Sequence, residues 1–303
     1  MAVAGAVHAA GGGEVTGRRR AGGLPYLLML PGLAWLAVFF ALPIAVLFST
    51  SLMVPVEGGE VGEYAPALRW QNYTEALSQY GEHFTRSFGY GLVATALGLL
   101  IGYPLAYVIA VKARNHKLLQ QVLLVMVIAP FFVSFVLRTI AWRQVLADES
   151  VVVTVLKTVA LLPDDARLTA TPVAVVAGLT YNFLPFMTLP IYASLERLDV
   201  RLIEAGQDLY ASPAQTFRRV TLPLSMPGVV AGTLLTFIPA TGDYVNSALL
   251  GTSQTAMIGN VIDSRFFRVV DYPTAAALSF LLMGAIVLLV ALYVRRAGTE
   301  ELV

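Results

Sequence analysis

The chain contains no cysteine in its 303 residues, which excludes disulfide bonds, thiol chemistry and cysteine-ligated metals. Charged side chains are also scarce, since Asp, Glu, Lys and Arg make up 13% of the residues against 57% for the hydrophobic ones. The three histidines, His8, His83 and His116, lie far apart in the sequence. We therefore expect no catalytic site, no metal site and no nucleic-acid partner.

Six stretches of the chain carry no charged side chain at all. Each meets the roughly 20 residues that an α-helix needs to cross a hydrocarbon core of about 30 Å. A soluble protein with a buried helical core could contain one or two such stretches, but six predict a membrane protein. The stretches are residues 21–56, 87–111, 118–137, 168–195, 220–242 and 272–294.

The expected fold class is an all-α membrane protein with six transmembrane helices. We expect the transmembrane domain over residues 26–296, between a disordered cytoplasmic tail at 1–25 and a short cytoplasmic tail at 297–303. Thr50–Ser87 is predicted as a long outer loop, and the apolar segment Val151–Leu162 as a helix too short to span. The predicted spans are about Tyr26–Ser49, Phe88–Val111, Leu118–Trp142, Pro172–Leu195, Leu224–Ser247 and Ala275–Val294.

The charges are distributed unevenly between the two sides that six spans would separate. Cytoplasmic loops of membrane proteins carry an excess of Lys and Arg. With the N-terminus in the cytoplasm, the inner side holds 12 of the 20 basic residues but only 7 of the 19 acidic ones, which predicts that both termini face the cytoplasm. The inner basic residues are Arg18, Arg19, Arg20, Lys112, Arg114, Lys117, Arg197, Arg201, Arg218, Arg219, Arg295 and Arg296. The inner acidic residues are Glu14, Glu196, Asp199, Glu204, Asp208, Glu300 and Glu301.

Two pairs of glycines lie four residues apart within predicted spans. Gly98 and Gly102 share one face of the second span, and Gly228 and Gly232 share one face of the fifth. Such pairs let two helix backbones approach closely in a membrane. The contact could form within this chain or with a second copy or homologue.

Residues 196–223 form a polar segment between two of the uncharged stretches. From Asp199, which is placed to cap a helix, apolar residues recur at the i, i+3, i+4, i+7, i+8 spacing of one helical face. A second helix begins at Ser212-Pro213-Ala214-Gln215, where Ser can cap, Pro suits the first helical position and Gln closes a capping box. Pro223 is predicted to end it, so two short helices meet at a sharp corner that a partner protein can grip. The apolar residues are Leu202, Ala205, Gly206, Leu209 and Tyr210.

This segment resembles the Glu-Ala-Ala loop of the type I importer permeases of ATP-binding-cassette transporters. The family pattern is Glu-Ala-Ala, three residues, Gly, nine residues, and Ile-x-Leu-Pro. Here Gly206 replaces the third-position Ala, Val220 replaces Ile, and Tyr210 stands where Gly is usual. Four residues match at the correct spacing, namely Glu204, Ala205, Leu222 and Pro223.

The resemblance implies that the segment docks into a separate ATPase subunit in a bacterial cytoplasmic (inner) membrane. It implies a homodimer of ATPase subunits that holds ATP and Mg, a second homologous permease subunit, and an extracytoplasmic substrate-binding protein. No cofactor is expected on this chain, which has no Gly-x-x-x-x-Gly-Lys-Ser/Thr phosphate loop. The implied ATPase-coupling residues are Glu204, Ala205, Gly206, Asp208, Tyr210, Pro213, Leu222 and Pro223.

A second resemblance is narrower. The run from Phe237 to Tyr244, followed by Leu249-Leu250-Gly251 and Met257-Ile258-Gly259-Asn260, is similar to the end of the fifth span in spermidine/putrescine importer permeases. That resemblance implies the translocation of polyamines, which are multivalent cations.

Asp243 is the one acidic residue predicted within a span. Ionisable residues are costly in a bilayer, so a role in the substrate pathway is the default hypothesis. Asp243 could instead form an ion pair with Arg138, which is predicted near the outer end of the third span. The pathway role and the ion pair are compatible if substrate cations compete with Arg138 for Asp243. The aromatic side chains of Tyr181, Phe186 and Tyr244 could contact a cation or serve ordinary packing.

Two other functions stay open on the sequence alone. The chain could be an ATP-binding-cassette importer permease for another small solute, such as ferric iron, thiamine, sulfate or a sugar. It could also be a channel or secondary transporter that works without nucleotide.

Overall fold

The computed structural model of the chain describes residues 24–160 and 162–297. Residues 1–23 of the first predicted tail, and all of the second beyond residue 297, lie outside this part. The chain divides into two compact units, residues 1–47 and 48–303, and the packing given below is that of the second unit.

Helices account for most of the described chain. A two-stranded antiparallel hairpin pairs β1 (Val54–Pro55) with β2 (Tyr64–Ala65). The helices are α1 Leu24–Leu36, α2 Leu42–Ser51, α3 Gln71–Tyr107, α4 Lys117–Ile128, α5 Phe135–Val145, α6 Val151–Thr158, α7 Pro172–Glu196, α8 Val200–Asp208, α9 Pro213–Thr216, α10 Leu222–Thr241, α11 Val245–Leu250, α12 Ile258–Asp263 and α13 Tyr272–Ala297. Wider π-helical turns occupy Ala37–Ala41, Val108–Lys112, Phe217–Thr221 and Ser264–Arg268, and 3₁₀ turns occupy Ala129–Phe132 and Ser253–Thr255.

Five continuous helical segments in the described residues are long and apolar enough to cross a membrane, and a bent pair of helices makes a sixth candidate. This agrees with the six predicted spans in number and order. The five segments are Leu28–Ser51, Gln71–Lys112, Pro172–Glu196, Pro213–Thr241 and Tyr272–Arg296.

The third predicted span, Leu118–Trp142, is wrong as a single straight helix. The segment Lys117–Phe132 meets α5 at an angle of 102°. Pro130 lacks the N–H that would continue the helix ladder, and Val133 is extended with φ −103° and ψ 138°. The span is therefore broken in its middle, where backbone groups are freed from helical hydrogen bonds.

The prediction of a long loop over Thr50–Ser87 is wrong for its second half. Helix α3 begins at Gln71 and has 37 residues, so it is about 55 Å long and exceeds the hydrocarbon core. Its early part is held by an apolar stripe that packs on α12 and α13 at the end of the bundle near the hairpin. The stripe and its partners are Ala76, Tyr80, Phe84, Ile258, Ala277 and Leu278. The short helix predicted within Val151–Leu162 is confirmed as α6, capped by the Ser150 hydroxyl.

Helix α7 lies at the centre of the bundle and packs against both α3 and α10. A Cβ atom at Gly228 would lie 2.6 Å from the Pro190 carbonyl oxygen, and one at Gly232 would lie 2.8 Å from the Met187 carbonyl oxygen. From α3, a Cβ atom at Gly102 would lie 3.2 Å from the Met187 side chain. The glycine pairs therefore serve packing within this chain.

We expect Gly228→Ala to lower the stability of the folded chain by roughly 1–3 kcal/mol, because the methyl group would push α10 away from the backbone of α7. The measurement is thermal unfolding in detergent. Gly284→Ala is the matched control, because a Cβ atom there meets nothing within 4 Å. Equal unfolding midpoints for the two variants would contradict this account of the α7–α10 contact.

Candidate functional site

The predicted polar segment folds as two short helices around a corner, which we call the elbow (residues 196–223). Its first helix is α8, and the Asp199 carboxylate accepts a hydrogen bond of 3.0 Å from the Arg201 N–H at its start. The Ser212 hydroxyl and the Gln215 side chain form the predicted capping box at the start of α9. The two caps and the corner are as the sequence predicts.

Tyr210 forms the turn of the elbow with a left-handed backbone, at φ 57°. The Ala211 N–H donates to the Gly206 carbonyl oxygen at 3.1 Å, which closes α8 in the geometry of a Schellman motif. Glycine is preferred at this position because a Cβ atom destabilises the left-handed conformation. Tyr210 thus adopts the conformation that glycine would adopt, at a cost in strain, and the corner keeps its shape.

The prediction that Pro223 ends the second helix is wrong. The helical segment continues from Pro213 to Thr241 without interruption. A π-helical turn over Phe217–Thr221 comes directly before Pro223, and the Leu222 N–H donates to the Phe217 carbonyl oxygen. This wider turn accommodates a proline that cannot donate a hydrogen bond of its own. The elbow is therefore joined rigidly to α10.

The predicted apolar face of α8 is directed mostly away from the rest of the chain. The exposed fraction is 81% for Leu209, 98% for Tyr210 and 48% for Leu202. Contiguous exposed apolar side chains favour contact with another molecule, and Leu209 and Tyr210 are neighbours in the chain. Of the remaining predicted coupling residues, those exposed are Glu204, Ala205, Asp208, Pro213 and Pro223, and those half-buried are Gly206 and Leu222.

Three contacts fix the elbow, one between its own two helices and two to the rest of the bundle. Gly206 of α8 packs on Thr216, since a Cβ atom there would lie 3.1 Å from the Thr216 methyl group. The Phe217 ring packs edge-on against Tyr103 and Tyr107 of α3, with ring centres 5.5 and 6.1 Å away. The glycine therefore lets the two elbow helices touch, and the aromatic contact fixes the second of them to α3.

The third contact comes from Arg114, a residue that the sequence analysis counted only as a charge. Its guanidinium donates to the carbonyl oxygens of Leu198 at 3.1 Å and Glu196 at 3.4 Å, which satisfies the end of α7. The partners are more than 80 positions apart, so no local sequence signal could predict the pairing. A basic residue in a six-residue loop between two spans is the only hint that the sequence offers.

Asp243 lies just beyond α10, at the end of that helix farthest from the elbow. Its side chain is 8% exposed, and its carboxylate accepts a hydrogen bond of 2.7 Å from the Asn246 N–H at the start of α11. The described residues include no ion pair between Asp243 and Arg138. The fifth predicted span, Leu224–Ser247, is wrong at its end, because the helix stops at Thr241 and a separate short helix begins at Val245.

A buried polar cluster lies beside Asp243, and no sequence pattern described above predicts it. The Asn182 amide donates to Thr139 at 3.0 Å and to the Asn246 side-chain oxygen at 2.9 Å, and all three residues are at most 1% exposed. This cluster joins α5, α7 and α11. An uncharged amide in the middle of a long apolar stretch is the sequence signal that could have identified Asn182.

The predicted pathway aromatics fall into two places. Tyr181 packs on Trp142, and Phe186 packs on Phe131, so both lie between the broken third span and α7. Tyr244 is 49% exposed and lines a groove of about 650 Å³ at the end of the bundle distal to the elbow. Among the described residues, no three His, Asp or Glu side chains are grouped as metal ligands.

Replacing Tyr210 by glycine should remove the backbone strain and stabilise the elbow by roughly 1–2 kcal/mol. The measurement is hydrogen exchange of the Ala211 amide, which should slow in Tyr210→Gly. Tyr210→Ala is the control, because it removes the ring but retains the Cβ atom. Equal exchange rates in the glycine and alanine variants would show that the left-handed backbone is not strained.

The chain matches the family described as "Binding-protein-dependent transport system inner membrane component" over residues 94–297. It is 35% identical, over 86% of its length and 90% of the other chain, to the spermidine/putrescine transport system permease protein PotB of Haemophilus influenzae. It is 36% identical to the protein of the same name from Escherichia coli K12, over 86% of its own length and 93% of the other.

The fold also matches solved structures. A bacterial transporter that imports the acidic polysaccharide alginate aligns over 90% of this chain and 94% of that one, with a TM-score of 0.68 and 19% identity. The methionine transporter MetNI in an inward-facing conformation aligns over 73% of this chain and 93% of that one, with a TM-score of 0.51 and 17% identity. At these identities the likeness concerns the fold, which is that of an importer permease. The family match covers more than half of the sequence, and the described chain contains several helices that can span a membrane. This multi-pass membrane protein therefore belongs to the family of binding-protein-dependent transport system inner membrane components.

Proposed function

We propose that this chain is the permease subunit of an ATP-driven importer of spermidine, putrescine or a related cationic amine. The observation that carries the proposal is the 35–36% identity to spermidine/putrescine permeases over nearly their whole length. The importer structures named above share 17–19% identity with this chain, so they indicate its fold and no particular substrate.

The elbow is the part through which an ATPase would act. It presents Leu209 and Tyr210 outward, and it continues into a helical segment of 29 residues, which is about 43 Å long. Because this segment is continuous, a displacement of the elbow is carried to the far end of α10, where Asp243 lies. ATP, Mg and their chemistry belong to the ATPase subunits in this proposal, and this chain holds no cofactor.

The far end of α10 is where the cation would pass. Asp243 supplies a buried carboxylate, and Tyr244 and the aromatic residues between α5 and α7 supply ring faces that attract alkylammonium groups. The buried carboxylate of Asp243 is the group in this region that would attract a cationic solute.

The proposed assembly lies in a bacterial cytoplasmic membrane, with both termini of this chain in the cytoplasm. It contains a second homologous permease subunit, two ATPase subunits and an extracytoplasmic binding protein that delivers the substrate. One of the related folds was solved in complex with a ligand-bound periplasmic protein, which supports a partner of that kind. Alternating access then follows from rocking of the spans as the ATPases close.

Glu204→Lys should reduce ATP-driven spermidine uptake to background and weaken retention of the ATPase during purification, because it reverses the charge of an exposed residue on the docking helix. Membrane insertion should persist. Glu57→Lys is the control, since it makes the same change at an exposed residue outside the elbow. Undiminished uptake by the Glu204 variant would refute the proposed role of the elbow.

Asp243→Asn should raise the half-saturating concentration of spermidine by about tenfold or more, because the substrate cation loses its attraction to the carboxylate. A tenfold change corresponds to roughly 1.4 kcal/mol of binding free energy. Asparagine retains an oxygen that can accept the Asn246 N–H, so the cap persists while the charge is lost. Asp165→Asn, at an exposed position, is the control. If the Asp243 variant transports like the wild type, the substrate is not a cation recognised at this residue.

A further inference from the structure

Arg138 is a buried cation that has no anionic partner among the residues that the structure describes. The residue is 8% exposed, and its Nε and Nη1 atoms are fully enclosed without a hydrogen-bond acceptor. Arginine stays protonated in proteins. A buried charge without a partner is unfavourable, so such an arrangement requires a compensating interaction.

The described residues provide one direct compensation, which is aromatic. The Arg138 guanidinium carbon lies 5.6 Å from the centre of the Phe135 ring. That ring packs on Phe183 at 5.9 Å, and Phe183 packs on Phe186 at 6.1 Å. Arg138 therefore sits at one end of a row of ring faces, each of which can attract an ammonium group.

Asp243 lies in the same buried layer. Thr139, the neighbour of Arg138, contacts the Asn246 side-chain oxygen at 3.4 Å, and the Asn246 N–H donates to the Asp243 carboxylate. Helix α5 packs against α11 throughout this region. The layer thus contains one buried cation and one buried anion, which are linked through Thr139 and Asn246 but form no ion pair in the part of the chain that the structure describes.

We propose that Arg138 is a resident cation of the translocation pathway. Its charge balances Asp243 through the low-dielectric layer while the pathway is empty, and it competes with the ammonium groups of the substrate for Asp243 and the aromatic row. This inference rests on the proposed function. Arg138 is thus a positioning and specificity-determining residue that weakens binding, so that a bound polyamine is released and smaller cations are excluded.

The test uses the complete transporter, with both permeases, the ATPases and the binding protein, reconstituted in vesicles. Spermidine-stimulated ATP hydrolysis is measured over a range of spermidine concentrations. In Arg138→Gln the half-maximal concentration should fall by about tenfold, because a like charge has been removed from the low-dielectric layer. Arg138→Lys should retain the wild-type value, because it retains the charge. Arg143→Gln, which removes an exposed charge from the same helix, should also leave the value unchanged.

A comparison with Asp243→Asn excludes a merely structural effect. Adding Arg138→Gln to Asp243→Asn should lower the half-maximal concentration by less than it does in the wild type, since part of the competition is for the Asp243 charge. If Arg138→Gln alone does not assemble, the double variant is compared with Asp243→Asn, and the half-maximal concentration should still fall because competition for the aromatic row is removed. A full, additive change would overturn the proposed competition for Asp243.

Three further outcomes would overturn the inference about Arg138. An unchanged half-maximal concentration in Arg138→Gln, with the wild type stimulated by spermidine, overturns the inference and leaves the proposed function intact. Loss of the second permease on purification of Arg138→Gln would assign Arg138 to a carboxylate of that subunit and also overturn it. If spermidine does not stimulate the wild type, the proposed function fails and this inference fails with it.

Discussion

The close approach of α3 and α10 to the backbone of α7 is the contact on which the other features depend. In lipid the hydrophobic effect drives little association between helices, so van der Waals packing must provide the attraction. The glycines at positions 102, 228 and 232 allow that packing, because any side chain there would meet the α7 backbone or the Met187 side chain. Since α7 ends at the elbow and also holds Asn182, its position decides the geometry of both candidate sites.

The elbow combines a rigid attachment with an exposed tip. Gly206 holds its two helices together, and Phe217 and Arg114 fix it to the bundle, while Leu209 and Tyr210 remain outside the packed bundle. A mechanical connection needs both properties, because a loosely held tip would absorb a displacement instead of passing it on. The continuous helix from Pro213 to Thr241 extends the same rigidity to the end of α10 that lies farthest from the elbow.

The buried layer around Asn182 has the opposite character. Its amide and hydroxyl groups satisfy one another only partly, since the Asn182 oxygen, the Asn246 nitrogen and two Arg138 nitrogens have no acceptor or donor among the described residues. Unsatisfied polar groups in a dry layer raise its energy. Such a layer is suited to rearrangement when a charged solute enters, whereas the glycine-packed contact between α7 and α10 is suited to staying intact.

Much of this protein could be predicted from its sequence. The uncharged stretches indicate the spans because a helix must cross a fixed thickness of hydrocarbon, and the caps at Asp199 and Ser212 indicate the elbow helices because capping depends on neighbouring residues. Tertiary structure alone decided the unbroken helix through Pro223 and the contacts of Arg114 and Asn182. The two contacts join residues that are distant in the sequence. The helix through Pro223 depends on a π-helical turn that accommodates the missing N–H of proline, and local sequence patterns predict neither feature.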